Sequence, residues 1–308
     1  MHDAIYDIIS AGVPHRVCET AIEEADLPAL GLAKGRTMPL DAAAGRAMRH
    51  RFGFATSAET GPAVRISVEL ACRGLQVGIL DLSAKSAVIN LPPRGSNGAG
   101  CDFAGSVTEL NTIHACRFLF TTPDRALSAA FHYGAVKDED CRQSALKVRA
   151  AKLFCIEDRL WDVEGGARFA AMAVDMARNA GRTVVLLCKD ADCVFRNRRE
   201  MRALAESGIA VVAGEAQALL LLLDFQRLDS LIPKLRGLGC GAVIWRENHP
   251  PLVFDREVLD LPANGNIPTA QAFWDEVLPL WIAGLSRRGS LRNPGQAQAG
   301  SARHAAMT

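Results

Sequence analysis

KLFCIED at residues 152–158, GGARFAAMAVDMARNAG at 165–181 and TVVLLCKD at 183–190 decide the fold. They read as strand, helix and strand. A strand buried on both faces of a sheet carries apolar side chains at nearly every position, as these two runs do, whereas the segment between them has helical spacing and is closed by Gly181. The rhythm continues through RNRREMRALAESG (196–208, helix), IAVVAGE (209–215, strand), FQRLDSLIPKLRGLG (225–239, helix) and GAVIWRE (241–247, strand). Such alternation implies parallel strands joined by right-handed crossovers, with helices on both faces of the sheet. Ligands in open sheets of this kind sit beyond the carboxyl ends of the strands, here the loops KDADCVF, AGEAQ, WRENH and LPANGN.

Toward the amino terminus, IYDIISA (5–11) reads as a strand and the amphipathic CETAIEEADLPAL (18–30) as a helix. A turn at GLAKGR precedes helical spacing over 40–50 and 62–73. VGILDL (77–82) is a further strand, and HACRFLFTT (114–122) with LSAAFHYGA (127–135) pair as a hairpin across Pro123-Asp124. The strands near 5–11, 77–82, 152–156, 183–188, 209–213 and 241–245 are expected to share one mostly parallel sheet. The remaining β segments, within about 13–60 and 95–135, are expected to form a small lid over a single α/β domain spanning 1–285. Residues 286–308, rich in Gly, Ser, Arg and Ala without apolar periodicity, read as a mobile tail.

Composition narrows the function classes. Hydrophobic residues make up 49% and charged residues 22% of the 308, enough for a sizeable core. Lys and Arg total 35 against 34 Asp and Glu, so no broad cationic surface for nucleic acid or anionic membrane is expected. No segment approaches the roughly 18 apolar residues of a membrane span. The nine cysteines include no Cys-x-x-Cys pair, which fits reduced thiols in a cytoplasmic core better than a disulfide or zinc framework.

GLAKGRTMPLD (31–41), FTTPDRALSAAFHYGA (120–135), EDRLWD (157–162) and AGRTVVLLCKDADCVFRNRREM (180–201) resemble, in this order, segments of the ribokinase-like (PfkB) kinases, in particular the adenosine-kinase-like and sugar-kinase-like bacterial members. The last keeps Asp190, Cys193, Val194, Arg196, Arg198 and Glu200 of the family's pattern. The resemblance runs from about residue 5 to 283. It implies a doubly wound α/β fold with a small β lid and, in a working kinase, ATP and magnesium as cofactors with a sugar or nucleoside as phosphoryl acceptor.

The family's chemistry-bearing positions have changed. Its D-T-x-G-A-G-D turn binds the developing phosphate charge on backbone amides and ends in the Asp that deprotonates the acceptor. Here the turn reads Asp260-Leu261-Pro262-Ala263-Asn264-Gly265-Asn266, which puts the amide of Asn266 at the base position, where it has no oxygen able to take a proton at neutral pH. The substrate-gripping G-G-x-x-x-N becomes Thr60-Gly61-Pro62-Ala63-Val64-Arg65. The first strand's G-x-G-N-x-x-x-D becomes Ser10 to Val17, with Val13 in place of the Asn and Val17 in place of the Asp that would hold ribose hydroxyls. The N-x-x-E element that organises magnesium becomes Gly214-Glu215-Ala216-Gln217, and the nucleotide turn T-R-G-x-x-G becomes Trp245-Arg246-Glu247-Asn248-His249-Pro250.

Each substitution also has a bland reading. Asn264-Gly265 is a strong turn dipeptide, Arg65 suits a solvated helix face, and Asp190, Asp192 and Arg196 suit helix caps and surface charges. Five separated losses together lead to the expectation of a catalytically silent, kinase-like protein that binds a small molecule or a protein partner without needing a cofactor. The other reading is a working kinase drawing its base from Asp260 or Asp190.

Overall fold

The computed structural model describes residues 4–13, 15–52, 57–59, 61–80, 82, 88–91, 115–136, 138–255, 257–260 and 268–288. Its principal sheet is built on β1 (Tyr6–Ala11), β5 (Val77–Leu80), β9 (Ala151–Glu157), β10 (Thr183–Cys188), β11 (Val211–Glu215) and β12 (Gly241–Arg246). These six lie parallel in the order β12-β11-β10-β9-β1-β5. They are the six strands expected from the apolar runs. Antiparallel strands extend both edges: β6 (Val88–Leu91) beside β5, and β13 (His249–Asp255) followed by β14 (Glu257–Asp260) beside β12.

Because side chains alternate across a strand, each strand feeds two cores. Ile9, Phe154, Ile156, Leu186 and Val212 face one side, where helices Gly166–Asn179, Ala191–Gly208, Ala216–Leu223 and Leu228–Gly237 bring Phe169, Val194, Leu219 and Leu231. Ile8, Leu153, Val185, Leu187 and Val243 face the other, against Val64, Ile66 and Leu70 of helix Pro62–Cys72 and against Phe273, Trp274, Leu278 and Ile282 of the carboxyl-terminal helical segment. Gly181 ends helix 166–179 as expected. It takes φ +70°, and the Arg182 N–H reaches back to the Ala177 carbonyl.

A second, five-stranded sheet caps the carboxyl edge of the first. Its order is β3-β8-β7-β2-β4, from β3 (Thr37–Pro39), β8 (Leu127–His132), β7 (Cys116–Thr121), β2 (His15–Ala21) and β4 (Ser57–Glu59). The hairpin expected across Pro123-Asp124 is the β7–β8 pair. One expectation fails here. Residues 18–30 do not form a helix; their first four close β2, and two short 3-10 turns, Glu24–Asp26 and Pro28–Leu30, follow. Cys18 and Thr20 find their partners across β7, and Pro28 has no N–H to continue a helix. The helical spacing of the sequence was overridden by strand pairing in the lid. The tail beyond Arg288 lies outside the described residues, and the helix Leu278–Arg288 includes the tail's first three.

Candidate functional site

β1 and β9 are neighbours in the sheet, and the chain passes from the carboxyl end of β1 directly into the lid strand β2. β9 ends on Glu157, and a 3-10 turn, Asp158–Asp162, follows directly. Three successive charged residues, Glu157, Asp158 and Arg159, are therefore buried where the strand runs out. Such burial is tolerated only if the polar atoms find partners.

Glu157 finds them on two segments that the sequence singles out. Its Oε1 accepts the Val13 N–H at 2.6 Å and its Oε2 the Ala63 N–H at 3.0 Å. The carboxylate fits because Gly12 and Gly61 lack side chains: a Cβ at Gly61 would lie 2.2 Å from both carboxylate oxygens, and one at Gly12 2.9 Å from the carboxyl carbon. Burial raises the Glu157 pKa against the pull of those two amides. Asp158 is bound as tightly. Its Oδ1 accepts the Arg159 N–H at 2.8 Å and its Oδ2 the N–H groups of Lys189 and Asp190, both at 2.6 Å, tying the end of β9 to the end of β10. Burial, and then the Asp190 carboxylate, push Asp158 up to about 8.

Asp190 caps helix 191–208, its Oδ1 accepting the Cys193 N–H at 3.0 Å, while its Oδ2 stands 3.9 Å from Arg159 Nε. Lys189 is half-buried with its ammonium 5.8 Å from the centre of the Trp274 ring; burial, Arg159 and Arg65 lower its pKa. From the lid, buried His15 hydrogen-bonds the Val13 carbonyl through Nδ1 at 2.8 Å and lies 5.3 Å from the Tyr133 ring. Burial, then the Arg159 charge, depress His15 to about 3.

Asp192 and Arg196 act outside this cluster, as ties to the lid. Asp192 pairs with Arg36 at 3.1 Å and accepts the Thr37 N–H at 3.4 Å, and Arg196 donates to the Thr37 carbonyl at 3.0 Å. The Arg196 guanidinium is fixed by Asp162 at 2.7 Å and lies over the Phe131 ring at 5.2 Å. Both residues thus do more than cap or solvate a helix.

Of the candidate substrate residues, Val13 and Gly61 meet at Glu157, but through backbone. Val17 is a wholly buried lid residue, and Arg65 turns to Asp275 at 2.6 Å, where Gln271 also donates. The nucleotide-side candidates lie at or just beyond the adjoining carboxyl ends of β10, β11 and β12, where their side chains and backbone serve local contacts. Gly214 presses its backbone against the Cys188 carbonyl, Gln217 is exposed, Trp245 donates through Nε1 to the Pro268 carbonyl at 3.1 Å, and Arg246 folds back onto the Pro250 carbonyl at 3.0 Å. Asn266, Gly265, Asn264 and Ala263 lie outside the described residues.

The stretch that the resemblance aligns with the family's magnesium element does not fit a hard dication: Gln217 is neutral and exposed, and Glu215 is partly buried, with burial raising its pKa. Among the described residues no three His, Cys, Asp or Glu side chains converge on a metal position, and the seven cysteines described are free thiols.

The chain resembles the adenosine kinase of Sinorhizobium meliloti, with a TM-score of 0.66 at 19% identity over 92% of this chain and 88% of that one. A probable sugar kinase from Rhizobium etli gives 0.64 at 17% over 94% and 89%. The fold is ribokinase-like. Anopheles gambiae adenosine kinase, solved with a di(adenosine) tetraphosphate, gives 0.63 at 11% over 92% and 91%. The sequence matches no protein-family model and no curated protein. At these identities the ribokinase-like architecture is established and the chemistry is left to the residues. No described helix is long and apolar enough to cross a membrane.

Glu157, Asp158 and Arg159 are not among the site residues the sequence motifs point to. The available signal was three charges placed without a spacer after a strand flanked on both sides by parallel neighbours.

Proposed function

We propose that this ribokinase-like protein is catalytically silent and binds a small molecule in the crevice between sheet and lid. The observation that carries this reading is the state of the retained carboxylates. Glu157 and Asp158 are buried and engaged by five backbone N–H groups between them, so neither presents a free basic oxygen to an acceptor hydroxyl, and Asp190 commits one oxygen to a helix cap and holds the other 3.9 Å from the Arg159 guanidinium. The amide of Asn266 at the family's base position and the neutral Gln217 at its magnesium element point the same way. A lid tied down by Asp192 and Arg196 supports binding as the retained role. ATP and magnesium belong to the alternative reading, an active sugar or nucleoside kinase with an atypical site, which the kinase relatives of the same fold favour.

The test is turnover. With ATP and magnesium, the purified chain is expected to leave adenosine, ribose and fructose unphosphorylated above background. Loss of a positioned base typically costs about 10² to 10⁴ in rate, and Asn266→Asp alone is expected to restore little, since residues acting as a unit are not additive. A wild-type rate of order 1 to 100 per second would establish the active kinase instead.

A further inference from the structure

Arg159 is the one member of the buried trio without acceptors. Its side chain is 8% exposed, its Nε is buried with no hydrogen-bond partner, and Asp190 at 3.9 Å stands beyond hydrogen-bonding reach. A guanidinium keeps its charge and offers five N–H donors, and leaving such a group buried and unpaired is strongly unfavourable. The nearby carboxylates of Asp190, Asp158 and Glu157 favour its charge through space but give it no hydrogen bond. Both Glu157 oxygens are taken by amides, both Asp158 oxygens likewise, and Asp190 Oδ1 caps its helix.

Further cations stand nearby. The charges of Arg159, Arg117 and Lys189 all bear on His15, while Tyr133 feels Arg159 and Arg117 together with the carboxylates of Asp190 and Asp162. His15 and Tyr133, both buried and in ring contact with one another, are neutral in this setting.

We propose that the crevice holds the oxyanion of a small metabolite, a carboxylate or a phosphate group, on the guanidinium of Arg159 with Lys189 beside it. A planar guanidinium fork matches two oxygens of such a group, and a desolvated site strengthens the pairing. This inference rests on the silent, ligand-binding reading and adds the ligand's chemical class. A neutral sugar or nucleoside would leave the guanidinium unmatched.

The experiment is a thermal-shift and calorimetric titration of the full chain with inorganic phosphate, ribose 5-phosphate and malonate, against ribose, adenosine and sodium chloride at matched ionic strength. At least one oxyanion is expected to bind saturably and raise the melting temperature, while chloride and the neutral compounds do not. Comparing phosphate and ribose 5-phosphate with malonate separates the two sources of oxyanion. Arg159→Met, which keeps much of the side-chain length, is expected to abolish binding. Should that variant not fold, Arg159→Lys, which keeps the charge but not the fork, is expected to weaken binding about tenfold or more, about 1.4 kcal/mol or above. Absence of saturable oxyanion binding by the wild type, or undiminished affinity in the folded variant, would overturn the inference and leave the silent reading standing. Kinase turnover accompanied by Arg159-dependent oxyanion binding would do the reverse.

Discussion

The two halves of the crevice differ in how their polar groups are held. Where β1, β9 and β10 end, charged side chains are buried and most are bound to backbone amides of neighbouring segments. Where β11 and β12 end, Gln217 faces solvent and Arg246 is occupied by its own hairpin. The first half is a preorganised polar interior. The second has side chains that serve local structure. An ordered polar interior on one side, with side chains in local service on the other, fits the ligand-holding role proposed above.

The contrast predicts unequal sensitivity to substitution. Asp158→Ala would strand three amide N–H groups and deprive Arg159 of a nearby carboxylate, and is expected to cost about 3 to 5 kcal/mol in urea unfolding. Gln217→Ala, exposed on a helix, should fall within about 0.5 kcal/mol. Equal effects would erase the distinction between the halves.

A second effect is expected in acid. His15 has a folded pKa of about 3 against an ordinary 6.5, so between those values the unfolded chain binds a proton that the folded chain does not. Its contribution to stability is full above pH 6.5 and is lost as pH falls toward 3, by at most about 1.4 kcal/mol per unit. The stability difference between wild type and His15→Gln should therefore narrow by about 2 kcal/mol from pH 6.5 to pH 5. A difference independent of pH would show that His15 is not held neutral under the lid.

The smallest effect concerns the lid ties. Asp192→Ala removes the partner of Arg36 and of the Thr37 N–H and is expected to lower global stability by under about 1 kcal/mol, the pair being partly solvent-screened. Amide exchange in β3 and β8 should nevertheless quicken, because local opening is governed by local contacts. Unchanged exchange there would place the lid's attachment elsewhere.

The six parallel strands were legible because burial on both faces forces apolar runs, and their helices because Gly181, Gly208 and Gly239 punctuate them. Residues 18–30 misled, since Glu23, Glu24 and Leu27 have helical spacing while Cys18 and Thr20 take strand partners about a hundred residues away. At the site, Val13 and Gly61 were found from their motif positions. Their role was not, because both serve Glu157 through backbone, one by an amide N–H and one by an absent side chain. Asp158 and Arg159 read in the sequence as surface charges because charges at a strand end ordinarily meet solvent, whereas the fold buries both.

The pairing of β2 with β7 bears on how the molecule assembles. Arg16 lies opposite Cys116, and between them in the chain run helix Pro62–Cys72 and strand β5, both parts of the main body. Closing so long a loop in an unfolded chain is entropically slow and brings few contacts at first. Once β1, β5 and β9 have paired, however, the ends of that loop are already anchored on one sheet edge, and the remaining search is short. The lid is thus expected to fold last, on a finished platform, which makes the order of events in folding the same as the order from buried sheet to ligand-facing cover.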